Sequence, residues 1–288
     1  MKIAITGAAG RIGSATLALA LQNGHDVLAI DRVTGRRRGR ETWYTINLNE
    51  PLSSSELLCG VEAIVHLAGI AAPTPERPFT SFQSNVLSTF NIFTAAAEAG
   101  VPTVVFASSA SALGRAWAKA PADPLFFPID EEHPLRPADH YALAKQIAEN
   151  IGHSFSREHG LASVAMRFPW VADDETLADK IELVRGTPAE EISKRDLWSY
   201  VHLDDIARAF LHVATAHPQG FEVYDVVAPD TLSDIPTQQL IAQFFPFVPV
   251  RKNLGEHEPA WSAEKIARNL GYRAQVSWRD RVASVSGQ

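Results

Sequence analysis

An α/β fold with a doubly wound parallel sheet is predicted from two features of the sequence. Short β-branched runs alternate with longer helical patterns over roughly the first 170 residues, and a glycine-rich turn directly follows the first run. Alternation of this kind means parallel strands joined by crossover helices, so that both faces of the sheet are covered. The predicted strands are Ile3–Thr6, Asp26–Ile30, Ala63–Leu67, Thr103–Ala107 and Ala162–Met166, and the predicted helices are Arg11–Asn23, Phe82–Ala99 and Asp139–Glu158.

The composition limits the classes of protein to which the chain can belong. Its 288 residues, 46% of them hydrophobic and 20% charged, are enough for one compact body with a sizeable core. A net charge of −7 argues against nucleic-acid binding, which relies on an excess of Lys and Arg on one surface. The single cysteine, Cys59, excludes an intrachain disulfide and favours the cytoplasm.

Membrane insertion and metal binding are not expected either. No apolar run approaches the roughly twenty residues that a membrane-spanning helix needs. The first residues enter a strand without the pattern of a signal peptide. The ten histidines include no pair at helical spacing beside an acidic residue, and one cysteine supplies no thiolate cluster. We therefore predict no membrane span and no bound metal ion.

The turn after the first strand has the pattern of a phosphate-binding loop. Thr6–Gly13 leads from a strand into a helix, with glycines where a chain must turn tightly, approach a pyrophosphate and pack a helix on a strand. Backbone N–H groups at the positive end of the helix would hold the anion. The alternative is a Gly/Ala-rich turn without a ligand. The residues assigned to dinucleotide binding here are Gly7, Ala9, Gly10, Arg11, Ile12 and Gly13.

The end of the second strand bears on which dinucleotide would bind. Asp31 lies roughly twenty residues past the glycines, where a carboxylate accepts hydrogen bonds from the adenosine ribose, so NAD is favoured over NADP. Arg32 and the run Arg36–Arg38 favour NADP instead, because guanidinium groups could hold its 2′-phosphate. The alternative for this run is a solvated basic loop.

A tyrosine and a lysine four residues apart form the candidate catalytic pair. Tyr141 and Lys145 share one face of the helix predicted at Asp139–Glu158. A free phenol titrates near pH ~10, and a nearby cation favours phenolate, so the spacing predicts that Lys145 lowers the pKa of Tyr141. Ser108–Ser111 ends the preceding strand, where a hydroxyl would hydrogen-bond to a substrate oxygen. The alternative for these serines is a strand-to-loop cap.

Several motifs, in order along the chain, resemble one family of enzymes. The motifs Thr6–Gly13, Asp31, His66–Gly69, Asn85–Phe93, Ser108–Gly114, Tyr141–Lys145 and Tyr200–Ala207 together resemble the extended short-chain dehydrogenase/reductases, the NAD-dependent epimerase/dehydratase family. The likeness extends over most of residues 1 to about 215. This resemblance implies a Rossmann-type fold, a nicotinamide cofactor, NAD with NADP as the alternative, and hydride transfer at a carbinol or carbonyl carbon.

The resemblance also implies roles for individual residues. Ser109 would be the catalytic hydroxyl and Tyr141 the acid/base, while Lys145 would also hold the nicotinamide ribose. Leu67, Ala68 and Gly69 would pass under the cofactor, and Pro169 would lie near the nicotinamide. The other residues assigned to the cofactor are Arg32, Asn47, Leu48, Asn85 and Ala107, and those assigned to the substrate are Ser109, Ser111, Trp117 and Trp170.

Departures from the family pattern narrow the chemistry. Ala110 and Ser111 stand where the dehydratases carry an acidic pair, so elimination of water is disfavoured. Asn47 replaces an aspartate that often contacts adenine. Arg167–Trp170 lacks the asparagine and the Tyr-Gly-Pro of enzymes that act on nucleotide sugars. These departures disfavour a nucleotide sugar and favour small sugars or sugar acids, as in the similar uronate dehydrogenases.

The chain changes character after Pro169, where regular alternation weakens and prolines and charges become frequent. We therefore divide it into a dinucleotide-binding Rossmann domain, residues 1–168, and a small substrate-binding region, residues 169–288, interwoven with the sheet. The irregular segment Gly114–Pro137 holds five prolines and is expected to line a site or to be mobile. Trp198, like the two substrate-site tryptophans, either lines the pocket or fills the core.

The sequence thus predicts an oxidoreductase or epimerase that uses NAD(P) on a sugar-like small molecule. The rival hypothesis is a non-catalytic dinucleotide-binding regulator on the same fold, since fold does not fix function. A homodimer is expected, through a helix pair that includes Asp139–Glu158.

Overall fold

A seven-stranded parallel sheet forms the centre of the protein, in a computed structural model that describes residues 1–52, 57–186 and 194–281. Within these ranges the strand order is β3-β2-β1-β4-β5-β6-β9, and β7 pairs with β8 in a separate two-stranded parallel sheet. The strands are β1 (Lys2–Thr6), β2 (Asp26–Asp31), β3 (Thr42–Thr45), β4 (Ala63–His66), β5 (Thr103–Ala107), β6 (Ala162–Arg167), β7 (Trp170–Ala172), β8 (Tyr200–His202) and β9 (Phe221–Asp225).

Helices cover both faces of the main sheet, as the predicted alternation requires. Ile3 and Ile5 face one layer, which α1 and α5 form, while Ala4 faces the layer of α2 and α3, because successive side chains of a strand point to opposite faces. The helices are α1 (Arg11–Gln22), α2 (Pro78–Ala99), α3 (His140–His159), α4 (Asp174–Gly186), α5 (Leu203–Thr215), α6 (Thr237–Phe244) and α7 (Glu264–Leu270), with a 3₁₀ helix at Ala110–Leu113.

The strand order reverses between β1 and β4, and this reversal places the functional loops. From β1 the chain first builds β2 and β3 on one side, and then returns to add β4, β5 and β6 on the other. The loops that leave the carboxyl ends of β1, β4 and β5 therefore meet at one crevice, which is where ligands bind in doubly wound sheets.

The predicted strands are all present, and the differences lie in weakly patterned segments. The predicted start of the second helix at Phe82 is wrong, because α2 begins a turn earlier with Pro78, a residue that the first turn of a helix tolerates. Strand β3 was not predicted, since its four residues at the sheet edge are mostly exposed. In Gly114–Pro137 Phe127 is buried despite the irregular backbone, and it forms a bridge with Val250.

The second half of the chain completes the main sheet and adds a separate core. Strand β9 pairs with β6, so the sheet extends beyond residue 168, and the division of the chain at that residue stays a prediction. Asp205 is buried and accepts hydrogen bonds from the backbone N–H groups of Gln275 (3.0 Å) and Val276 (2.8 Å). This carboxylate therefore fastens the last described segment to α5.

In the described ranges, no helix is long and apolar enough to cross a lipid bilayer.

Two glycines set the geometry of the first turn. Gly7 has a φ of +66°, which L side chains rarely adopt, and a Cβ there would lie 2.6 Å from the carbonyl carbon of Leu67. Gly13 lies within α1, where a Cβ would approach the Gly7 carbonyl oxygen to 2.0 Å. The start of α1 can therefore pack on the turn only without a side chain at residue 13.

Gly13→Ala is expected to lower the free energy of unfolding by about 1–3 kcal/mol, the usual cost of overpacking a close contact. Gly255→Ala is the matched control, because a Cβ at Gly255 meets its nearest neighbour at an ordinary 3.6 Å. Urea unfolding of both variants measures the effect. Equal stability of the two variants would show that the turn accommodates a methyl group at residue 13 without strain.

Candidate active site

One cavity of about 630 Å³ lies at the carboxyl ends of β1, β4 and β5. It extends from the glycine turn past the candidate catalytic residues to the second half of the chain. The residues assigned from sequence that line it are Gly7, Gly10, Arg11, Ile12, Gly13, Leu67, Gly69, Ala107, Ser109, Ser111, Trp117, Tyr141, Lys145, Pro169 and Trp170.

The glycine turn presents an uncapped helix end to this cavity. Gly10 is the N-cap of α1, no side chain caps the helix, and no acidic residue lies in its first turn. The N–H groups at this end therefore remain suited to an anion. Asp31 accepts a hydrogen bond from the Ala9 N–H (3.0 Å) and another from the Arg32 N–H (2.6 Å), so its carboxylate joins the end of β2 to the turn.

Ser109 lies beside Tyr141 in the cavity. Ser109 N-caps the 3₁₀ helix, where its Oγ accepts a hydrogen bond from the Ser111 N–H (3.1 Å), and the nearby Ser109 side chain lowers the pKa of the Tyr141 phenol. Asp139 caps α3 by accepting bonds from the N–H groups of Tyr141 and Ala142, both at 2.9 Å. The start of α3 is thus fixed immediately beside Tyr141. The structure thus shows the cap that was the alternative for these serines, and a hydrogen bond from Ser109 to a substrate oxygen stays a prediction.

The predicted lowering of the pKa of Tyr141 is wrong for this structure. Burial raises the pKa of Tyr141 to about 12, and the hydrogen bond from Ser109 only partly opposes this. The Lys145 ammonium lies 5.6 Å from the centre of the Tyr141 ring, and its Nζ donates to the Ala107 carbonyl oxygen at 2.7 Å. Desolvation of the phenolate, with a smaller contribution from the negative charge of Asp139, outweighs the effect of Ser109.

Lys145 has an unusually acidic ammonium group. Burial lowers its pKa to about 8, while the carboxylate of Glu149, one helical turn later, works in the opposite direction. The lysine therefore carries its charge at neutral pH but releases its proton more readily than an exposed lysine.

A buried ion pair that the sequence did not single out supports this helix. Glu149 accepts a hydrogen bond from the Ser108 hydroxyl (2.6 Å) and two from the Arg167 guanidinium (2.8 and 2.7 Å). Ser108 follows β5 and Arg167 ends β6, so one carboxylate connects both strand ends to α3. Two signals for this pair were present in the sequence. Glu149 lies four residues after Lys145 on the predicted helix, and Arg167 directly follows the predicted strand Ala162–Met166.

The loop after β4 is held from two sides. The Asn85 side chain accepts a hydrogen bond from the Ile70 N–H (2.7 Å) and donates one to the Ile70 carbonyl (3.0 Å). His66 is buried, its Nδ1 lies 2.7 Å from the Thr6 hydroxyl, and burial together with Lys145 lowers its pKa to about 3. His66 is therefore a neutral linker between β4 and β1.

Seven residues assigned to the cofactor do not line the cavity. Ala9, Asp31 and Asn85 act on its walls through the bonds given above. Leu48 is buried in the core, whereas Arg32 and Asn47 are exposed beyond the end of β2 and β3. The assignment of all seven residues to the cofactor stays a prediction. The residues in question are Ala9, Asp31, Arg32, Asn47, Leu48, Ala68 and Asn85.

The cavity also contains groups that sequence reasoning missed. Arg115, Lys180, Arg195 and Asp196 line its far end, together with Trp261 from the second half. Apart from the neighbours Arg195 and Asp196, these residues lie far apart in the chain, so no local motif could have indicated the group. Among the tryptophans, Trp198 is a core residue, with 1% of its surface exposed.

Comparison with known proteins identifies the family. The family model of the NAD dependent epimerase/dehydratase family matches residues 3–226. The chain belongs to this family. It is therefore an NAD-dependent enzyme of the oxidoreductase or epimerase type, as the sequence predicted, and the hypothesis of a non-catalytic regulator is set aside.

The described residues contain no group of three or more metal-ligating side chains that could hold a metal ion.

Curated relatives and solved structures agree with this assignment. The chain is 29% identical to a UDP-glucose 4-epimerase from Corynebacterium glutamicum, over 76% of this chain and 73% of the relative. It is 30% identical to an L-arabinose 1-dehydrogenase (NAD(P)(+)) from Haloferax volcanii, over 63% and 71% of the two chains. The structure of MoeE5 in complex with UDP-glucose and NAD superposes with a TM-score of 0.72 at 23% identity, covering 98% of this chain and 96% of the other. The predicted fold is thus confirmed.

Lys145→Met is expected to raise the free energy of unfolding of the dialysed protein at pH 7 by roughly 1–3 kcal/mol, because a partly solvated but strongly perturbed charge is removed. The folded-state pKa of about 8 lies below the unfolded value of 10.5. The charge therefore destabilises the fold fully below pH 8, and the gain should fade between pH 8 and about 10.5.

Urea unfolding at several pH values measures this gain, with Lys119→Met as the control because Lys119 is exposed. A gain that stays constant with pH, or a loss of stability at pH 7, would contradict the assigned burial cost.

Proposed function

We propose that the protein is an NAD-dependent dehydrogenase that interconverts a carbinol and a carbonyl carbon of a small sugar, with Ser109, Tyr141 and Lys145 as its catalytic residues. The presence of Ser109, Tyr141 and Lys145 in one cavity with the glycine turn carries this proposal. A substrate oxygen bound between the two hydroxyls would meet a proton carrier and a hydrogen-bond partner at once.

The cavity suits a dinucleotide. The uncapped end of α1 offers its first N–H groups, from Arg11 to Gly13, to a pyrophosphate, and the Asp31 carboxylate keeps acceptor capacity for ribose hydroxyls. A 2′-phosphate at Asp31 would meet a like charge, so we propose that NAD binds more tightly than NADP. When bound, NAD supplies the hydride acceptor.

The roles of the protein groups follow from their protonation. With a pKa of about 12, Tyr141 holds its proton at neutral pH and can give it to a carbonyl oxygen. In the reverse direction Tyr141 must first release its proton to solvent, and the resulting phenolate then takes the proton of the substrate hydroxyl. The positive charge of Lys145 and the nearby Ser109 side chain would favour that phenolate. Ser109 steadies the substrate oxygen in both directions.

A small sugar is favoured over a nucleotide sugar. The cavity has to hold cofactor and substrate together, which leaves a limited volume for the second ligand. The Haloferax volcanii relative is named as a dehydrogenase of a simple sugar. Ala110 and Ser111 after the catalytic hydroxyl lack carboxylates, which also disfavours elimination of water.

Sugar epimerisation is the second candidate function. The similarity to a UDP-glucose 4-epimerase over 76% of the chain favours it. An epimerase returns the hydride to its substrate, whereas a dehydrogenase needs fresh NAD for each turnover. Accumulation of reduced cofactor, followed at the nicotinamide absorbance band during turnover of a sugar panel, separates the two. The cytoplasmic location and the division of the chain at residue 168 are part of this proposal.

Tyr141→Phe is expected to lower turnover by roughly 10²-fold or more, because the ring keeps its packing but loses the group that carries the proton. NAD affinity and melting temperature should hardly change. The control is Tyr44→Phe, which removes a hydroxyl from an exposed tyrosine on β3. Near-normal turnover of the folded Tyr141 variant on the true substrate would contradict the proposed mechanism.

We also propose a homodimer that forms through α2 and α3. Phe79 and Phe90 are exposed and lie three helical turns apart on α2, and the exposed Leu143 lies on the adjacent α3. Phe90→Lys should shift the protein towards a monomer in light scattering at micromolar concentration, whereas Phe247→Lys, at an exposed site outside these helices, should not. A wild-type monomer at that concentration would reject the proposal.

A further inference from the structure

The cavity is strongly cationic although the protein as a whole is acidic. The chain has a net charge of −7, yet the ordinarily charged side chains among the described residues of the cavity wall are five cations and one carboxylate. Such a surplus in a concave site raises the local concentration of anions. The cations are Arg11, Arg115, Lys145, Lys180 and Arg195, and the carboxylate is Asp196.

Two of these cations already have a role. Arg11 forms an ion pair with Asp173 at 2.6 Å and donates to the Val171 carbonyl oxygen, so it fastens α1 to the segment before α4. Lys145 belongs to the catalytic group. Three cations and one carboxylate remain, with two more positive than negative charges, and the proposed mechanism gives this surplus no role. They are Arg115, Lys180, Arg195 and Asp196.

Arg115 is the decisive residue among the three. Only 5% of its surface is exposed, and its guanidinium lies over the Phe245 ring at 5.1 Å. Two of its nitrogens donate to the backbone carbonyls of Ala122 and Lys194, but its buried Nε makes no hydrogen bond with any described residue. Arg115 thus lines the cavity with one donor unsatisfied, and a guanidinium that bears this desolvation cost favours an anion nearby.

The surroundings of Arg115 add further positive charge. Lys180, on α4, and Arg195 line the same end of the cavity, and Arg195 is held by its hydrogen bond to the Ala118 carbonyl (2.8 Å). Asp196 interacts with all three cations, and one carboxylate cannot neutralise them. Asp123 and Arg136, which face Arg115 from outside the cavity wall, oppose each other in charge.

The chain connects this group to the catalytic hydroxyls. Ser109 is the N-cap of the 3₁₀ helix, and Arg115 follows its C-cap Gly114, so the two residues flank one short helical segment that lines the cavity. A ligand that spans this segment would place one end at Ser109 and Tyr141 and the other at the guanidinium.

We infer that the far end of the cavity binds an anionic group of the substrate, a carboxylate or a phosphate, through Arg115 with Arg195 and Lys180. The enzyme therefore acts on a sugar acid or a sugar phosphate in preference to a neutral sugar. This inference rests on the proposed function for the reacting end of the substrate, but the anion site itself is tested by binding alone.

Calorimetric titration of the NAD-loaded enzyme with glucose, glucuronate and glucose 6-phosphate tests the site, because the three sugars share a ring and differ at one carbon. The galacto series is titrated in parallel. At least one anionic sugar should bind about ten-fold more tightly than its neutral counterpart, the order expected for a charge-assisted contact. Preference for glucuronate or for glucose 6-phosphate identifies carboxylate or phosphate as the source.

Arg115→Met should abolish this preference while the affinities for NAD and for the neutral sugar stay unchanged. Arg195→Met, at an exposed position, should reduce the preference and provides the test if the Arg115 variant does not fold. The control is Arg268→Met, on the exposed side of α7, which should leave every affinity unchanged.

Equal affinity for neutral and anionic sugars, no binding of any anionic sugar, or a preference that both variants retain would overturn the inference. Turnover distinguishes it from the proposed function. Neutral and anionic sugars that are oxidised equally well would refute the anion site and leave the dehydrogenase standing. Preferential binding of an anionic sugar without reduction of NAD would support the anion site and contradict the proposed dehydrogenase activity.

Discussion

The geometry of the active site depends on the buried carboxylate of Glu149. It accepts hydrogen bonds from Ser108 and Arg167, which lie at the ends of β5 and β6, so it fixes the position of α3 against the sheet. Tyr141 and Lys145 lie two turns and one turn earlier on the same helix. Loss of one member would leave a buried charge unpaired, at a cost of about 3–5 kcal/mol. The proposed catalytic residues Tyr141 and Lys145 are thus positioned by an ion pair two turns and one turn further along the same helix.

The position of the reversal in strand order explains why so many separate motifs converge. Parallel strands present their carboxyl ends at one edge, and there β1, β4 and β5 supply the glycine turn, the loop held by Asn85 and the proposed catalytic serine, Ser109. The second half of the chain supplies ten of the 31 described residues that line this crevice, among them three of its six ordinarily charged ones. In the proposed function, the groups at the strand ends carry the chemistry, and the segments around the sheet select the substrate.

Sequence reasoning failed where burial decides a property. The spacing of Tyr141 and Lys145 correctly placed both residues in one site, but it could not show that desolvation would raise the phenol pKa to about 12. Arg115 follows a recognised motif without belonging to it, and its importance depends on a free Nε in a cavity wall. Strand β3 has too few buried side chains to leave a period-two pattern.

The sequence by itself determined the fold class, the family and the catalytic candidates, because each of these depends on local patterns. Glycines at fixed spacing, a tyrosine and lysine one helical turn apart, and β-branched runs are visible without contacts. The tertiary structure alone decided the protonation of Tyr141 and Lys145, the support from Glu149, and the gathering of Arg115, Lys180 and Arg195. These features arise from burial and from electrostatic interactions between residues distant in the chain, and neither can be predicted from the spacing of residues along the sequence.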